Sequence, residues 1–248
     1  MSSSLDSAPR SSQESVTKTI YLIRHAESEE NRRLGSLHKV FSSLTRFTMP
    51  SSEDVTSSLE LLNLYSQVDS EVSEKGKEQI QDMAIQLQNA DFLAQHEIER
   101  IIHSPLQRAR QTALGIFPED RRSSRINVTE TDMLIEKTPS EWIPGNYATF
   151  LQRIAVWEDW LLQQPESRIA VVGHSQFFKA MLELDSKFAN CDVWKVNLTN
   201  SPVSQHSTSE QMFRTTPNRN VAWTNLEHLF ACKLDAGKSA DGESNSDS

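Results

Sequence analysis

Apolar residues fall along this chain in two patterns that alternate. Thr19-Ile20-Tyr21-Leu22-Ile23, Ile101-Ile102 and Ile169-Ala170-Val171-Val172 are short continuous runs, the pattern of strands covered on both faces. Behind Ser73, a residue type that caps helix starts, Ile80, Met83, Ala84 and Leu87 recur at helical spacing. Phe150, Leu151, Ile154, Trp157 and Leu161 do the same ahead of Pro165, which closes that helix. Each continuous run also turns at once into a segment that reads as a helix start. After the first these are residues 26–31, after the second the turn at Pro105, and after the third Gln176-Phe177-Phe178. Strands alternating with helices predict an α/β fold with three layers, α/β/α, around a mostly parallel central sheet. Ligand groups in such sheets collect where strands end and helices begin. Residues 193–198 alternate apolar and polar, and with residues 221–226 they predict a hairpin at the sheet edge.

The two ends lack apolar groups to offset ordering entropy. Residues 1–16 and 235–248 are therefore expected to be disordered tails around one domain spanning 17–234. Residues 34–72 read as an insertion or lid, with helix-favouring leucines at 59–65 between Ser-rich flanks. The formal net charge is −9, and no stretch gathers enough Lys and Arg to track nucleic acid or an anionic membrane surface. An acidic protein repels phosphorylated molecules at long range, so a phosphate site here must supply its positive charge locally. Two separated cysteines, Cys191 and Cys232, predict neither a disulfide framework nor a zinc cluster. With no apolar run of membrane-spanning length and no secretory signal pattern, a cytoplasmic location is expected.

The chemistry concentrates at the three junctions. Arg24-His25 follow the first strand, where free helix N–H groups and a planar guanidinium favour an anion. A neutral imidazole there is a competent nucleophile if its other nitrogen donates its proton to a carbonyl. Arg108 and Arg110 lie on different faces of the second helix, so one can enter the site while the other is solvated. His174 follows the third strand and can meet Arg24 and His25 across the strand ends. His38, His96, His103, His206 and His228 lack the spacing of metal ligands, and no metal or other cofactor is expected. The Trp142-Ile143-Pro144-Gly145 turn is a secondary candidate for the pocket border.

Four ordered motifs carry a resemblance to a known family. They are Leu22-Ile23-Arg24-His25-Ala26-Glu27-Ser28 with Asn31, Val72-Ser73-Glu74-Lys75-Gly76, Ser104-Pro105 with Arg108-Ala109 and Gln111-Thr112-Ala113, and Val172-Gly173-His174-Ser175. Together they resemble the histidine phosphatase superfamily, the phosphoglycerate-mutase-like phosphatases, over nearly the whole folded region. The resemblance implies a phosphoglycerate-mutase-like fold and a metal-independent phosphatase with a phosphohistidine intermediate on His25. It also implies that Arg24, Arg108 and His174 hold the phosphoryl group, that Asn31 adds a contact, and that Glu136 serves as general acid and then base. Asp132 and Glu141 compete with Glu136 for that last role.

Mutases of the family follow the acid with a basic and aromatic segment, whereas Glu136 is followed by Lys137-Thr138-Pro139-Ser140. That departure disfavours phosphoglycerate mutase activity, which stays the alternative reaction beside a module that recognises phosphate without turnover. The expected partner is a small phosphorylated substrate or a phosphoprotein. Neither the substrate nor the oligomeric state is encoded in any motif.

Overall fold

The computed structural model describes residues 16–30, 69–138, 141, 146–200 and 221–234. The predicted tails (apart from Val16), the leucines at 59–65, the Trp142–Gly145 turn and Asn31 lie outside those residues, and only 69–72 of the 34–72 segment lie within them. The elements are β1 (Thr17–Arg24), α1 (Glu74–Asn89), α2 (Phe92–Gln95), β2 (Arg100–His103), α3 (Gln107–Ile116), β3 (Asn127–Glu130), α4 (Tyr147–Gln163), β4 (Arg168–Gly173), α5 (Ser175–Met181), β5 (Val193–Thr199) and β6 (Ala222–Phe230).

These strands form one six-stranded sheet in the order β3-β2-β4-β1-β5-β6. β1, β2, β3 and β4 are mutually parallel, and β5 runs antiparallel to both β1 and β6. The alternation of side chains along each central strand builds the two outer layers. Ile20, Leu22, Ile102, Ile169 and Val171 pack on one face against Phe150, Ile154, Trp157 and Leu161 of α4 and Phe177 and Phe178 of α5. Tyr21, Ile23, Ile101, Ala170 and Val172 pack on the other against Met83 and Leu87 of α1, Phe92 of α2 and Ala113 and Ile116 of α3. The α/β/α layering with a mostly parallel sheet is as the sequence pattern predicts.

Two local expectations are corrected, and one strand, β3, is not predicted by the apolar pattern. The expected pairing of 193–198 with 221–226 does close one side of the sheet, but the 193–198 strand is not itself the edge, because β5 hydrogen-bonds β1 along Thr17–Ile23 and leaves β6 outermost. β3 has no apolar run behind it, since an edge strand with exposed ends needs little burial. The helix after β1 does not begin at Ala26, for residues 25–27 are irregular and Ser28 forms an antiparallel bridge with Val72.

Candidate active site

Register brings the three junctions together. Arg24 of β1 lies opposite Gly173 of β4, and Val172 of β4 lies opposite His103 of β2, so the residues that follow all three strands share one end of the sheet. The rings of His25 and His174 stand with centroids 5.0 Å apart and planes 59° apart. Both histidines are buried, at 3% and 0% exposure.

The loop that carries His25 is held by side chains from two helices. The Ala26 amide donates to Thr112 Oγ1 of α3 (3.0 Å) and the Glu27 amide to Gln79 Oε1 of α1 (2.8 Å). Ser73 caps α1, accepting from the Gly76 amide (3.1 Å) while donating to Glu27 Oε1 (3.0 Å). Gln111 Oε1 accepts from the Val72 amide beside it (2.9 Å). The amides expected to be free for an anion after β1 are thus bonded within the protein, so positive charge in the site comes from side chains. Thr112, Gln111 and Gln79 have no role in the sequence reading, although the first two stand inside one of its motifs.

Gly76 is required by close approach. A Cβ there would lie 2.2 Å from the Glu27 carbonyl oxygen, so this helix start admits no side chain without moving the His25 loop.

His25 Nδ1 lies 2.6 Å from the Ala26 carbonyl oxygen. A carbonyl only accepts, so Nδ1 carries the proton and Nε2 keeps its lone pair. Burial, then the charges of Arg108 and Arg24, hold the His25 pKa well below the usual histidine value, against the opposing Ala26 bond. His174 is likewise depressed, by burial first and then by His25 and the arginines. Its Nε2 pairs with Ser104 Oγ at 2.8 Å, while its buried Nδ1 has no hydrogen-bond partner among the described residues.

Two guanidinium groups act on both histidines. Arg24 Nη1 donates to the Phe188 carbonyl (2.6 Å), and Arg108 stands 8% exposed whereas Arg110 is exposed, as their helical offset predicts. Arg108 Nη1 also lies 3.7 Å from Glu30 Oε2, a carboxylate to which the sequence reading assigned nothing.

The three candidate acids separate by environment. Asp132 is exposed. Glu141 is bound by Arg153 through both Nη2 (2.9 Å to Oε2) and Nε (3.2 Å to Oε1), and Thr138 donates its amide at 2.7 Å. Burial opposes ionisation of Glu141, but the Arg153 and Thr138 bonds together outweigh it and hold the carboxyl below its usual range. Glu136 has the opposite balance. Burial raises its pKa more than the Lys137 and Gln176 amides, Arg108 and Arg24 lower it. Glu136 Oε1 accepts from the amides of Lys137 (2.9 Å) and Phe177 (3.2 Å), so it sits at the start of α5 beside His174. Arg153 steadies its loop from α4 by donating to the carbonyls of Ile135 (2.5 Å) and Met133 (3.2 Å).

Two neutral histidines, two arginines and a carboxyl that keeps its proton above the usual range can together receive a phosphoryl group and protonate a leaving oxygen. A family model described as the histidine phosphatase superfamily, branch 1, matches residues 56–142. Over that segment the chain is similar to the histidine phosphatase superfamily. The residues matched to this superfamily include the Ser73 cap, the Arg108 helix and Glu136, while His25 and His174 lie outside them and reach the same site through the sheet. No curated protein matches the chain.

Solved structures similar in fold include a mycobacterial hydrolase, 17% identical, covering 85% of this chain and 97% of its own, with a TM-score of 0.48. Another is a mycobacterial glucosyl-3-phosphoglycerate phosphatase in complex with VO3, 17% identical, covering 72% and 90%, with a TM-score of 0.44. A third is a phosphoserine phosphatase from Entamoeba histolytica in complex with 3-phosphoglyceric acid, 18% identical, covering 72% and 89%, with a TM-score of 0.45.

Among the described residues, no group of three or more His, Cys, Asp or Glu side chains is arranged to hold a metal ion, and no helix is long and apolar enough to cross a membrane.

Proposed function

We propose that this protein is a metal-independent phosphomonoester hydrolase that works through a phosphohistidine on His25. The observation that carries the reading is the 2.6 Å bond from His25 Nδ1 to the Ala26 carbonyl, which leaves Nε2 unprotonated on a buried ring beside His174.

In the first step the Nε2 lone pair attacks phosphorus and the bond from phosphorus to the ester oxygen breaks. Glu136 gives its proton to the departing oxygen, so the alcohol leaves neutral. Arg24, Arg108 and the Nδ1–H of His174 take the charge on the equatorial oxygens, and Asn31 adds a contact. In the second step the Glu136 carboxylate takes a proton from water, the water oxygen attacks phosphorus, and the P–N bond breaks to release phosphate and neutral His25. Both steps need only groups of this chain and water.

The substrate is a small phosphorylated molecule or a phosphoprotein, with no nucleic-acid or membrane partner, and the two cysteines, far apart in sequence, suit a reducing cytoplasm. The test is phosphate release from p-nitrophenyl phosphate by the full chain in excess chelator. The expected result is turnover in wild type, none in His25→Ala, and an acid-labile, base-stable phosphoryl label in alkaline-quenched wild type. Activity that disappears with chelator yet persists in His25→Ala would overturn the mechanism.

A further inference from the structure

Arg108 enters the site already paired. Glu30 Oε2 stands 3.7 Å from Arg108 Nη1, and the two side chains are only 12% and 10% exposed. So enclosed a pair is poorly screened by salt. At 3.7 Å the contact is a charge pairing, without the short bidentate geometry that would saturate the guanidinium donors. Glu30 is also within electrostatic range of Glu136. Burial first, and then Glu136, push the Glu30 carboxyl above its usual range while Arg108 pulls it down.

The positive charge around the histidines is therefore less than the arginines alone would give. Arg24 and Arg108 are positive and Glu30 offsets one of them. Arg153, a third guanidinium that acts on His174, is paired with Glu141 at 2.9 Å. A phosphoryl dianion that reaches for Arg108 meets a carboxylate already on the same guanidinium, in surroundings where like charges repel strongly.

We propose that Glu30 is an internal counter-ion of Arg108 that weakens the hold of the site on phosphate, so that product leaves readily and substrate binds only as the Arg108–Glu30 pair loosens. This rests on the reading of Arg108 as a phosphoryl-binding group. Glu30 would then set affinity without transferring a proton in either chemical step, and its effect belongs in KM and in product inhibition.

The experiment compares full-length wild type with Glu30→Gln, which keeps the shape and removes the charge. The readouts are KM for p-nitrophenyl phosphate, kcat, and Ki for inorganic phosphate, together with calorimetric titration of inorganic phosphate. Glu30→Gln is expected to lower KM and Ki together by about tenfold, with no rise in kcat. A purely structural role would lower kcat and leave Ki unchanged or raised. If Glu30→Gln does not fold, Glu30→Asp, which draws the charge back by one methylene, must still lower Ki. Values of KM and Ki at or above wild type in a variant that folds, beside an active wild type, overturn the role of Glu30 and leave the phosphatase reading intact. A wild type that neither turns over nor binds phosphate overturns both.

Discussion

The hydroxyl of Ser104 and Nε2 of His174 lie 2.8 Å apart at the junction of β2 and β4. Ser104 Oγ also faces the Leu106 amide at 3.4 Å, so the hydroxyl can accept from that amide while it donates to His174. With the hydroxyl donating to Nε2, the ring proton of His174 stands on Nδ1, the buried nitrogen without a partner among the described residues. Removing the hydroxyl leaves Nε2 unsatisfied and frees the tautomer, at a cost of about 1 kcal/mol. Ser104→Ala is therefore expected to lower kcat roughly five- to tenfold. An NMR measurement of the His174 tautomer should show mixed protonation in the variant, and an unchanged tautomer would count against this positioning role.

The pH dependence follows from opposite shifts. His25 must be neutral to attack, and its lowered pKa keeps it neutral to below the ordinary histidine range. Glu136 must be protonated to assist the leaving group, and its raised pKa keeps the proton above the ordinary carboxyl range. For an alkyl phosphate, kcat/KM should peak on the acid side of neutrality and fall as pH rises and Glu136 ionises. Glu136→Gln should lose that alkaline limb and about 10² to 10⁴ in rate. A wild-type profile that climbs steadily into alkali would contradict the assignment.

Glu141 should behave as a structural group. Glu141→Gln breaks the Arg153 pair and is expected to cost about 1.5 to 3 kcal/mol of stability at neutral pH. The Glu141 pKa is lowered in the fold, so its contribution is fully present above the ordinary glutamate value and is lost as pH falls through the lowered one. The melting-temperature gap between wild type and Glu141→Gln should consequently close in acid. A gap that widens there would show that another group carries the effect.

Gly76→Ala tests the helix start. Alanine favours helix by about 1 kcal/mol over glycine, but its Cβ would meet the Glu27 carbonyl oxygen at 2.2 Å, a backbone atom that already accepts from the Ser73 amide. The clash should win, with a net loss of about 1 to 3 kcal/mol in urea denaturation and a fall in activity through the His25 loop. A variant as stable as wild type would mean that the loop can retreat at no cost.

Apolar periodicity along the chain carried the three buried strands, the helices behind Ser73 and before Pro165, and thus the layered sheet, because burial on two faces or one stripe is a local property of the sequence. It also put Arg24, His25, Arg108 and His174 at strand ends, where parallel order makes them neighbours. Tertiary structure decided the rest. Only pairing with β1 makes β5 an interior strand, and only α4, whose Arg153 lies twelve residues past Glu141, separates Glu141 from Glu136. The tautomer of His25 depends on one hydrogen bond of 2.6 Å, and the Glu30 carboxylate beside Arg108 on one charge pair at 3.7 Å. Hydrogen bonds and charge pairs of that kind join residues distant in sequence or turned by an irregular loop, so they leave no period in the sequence to read.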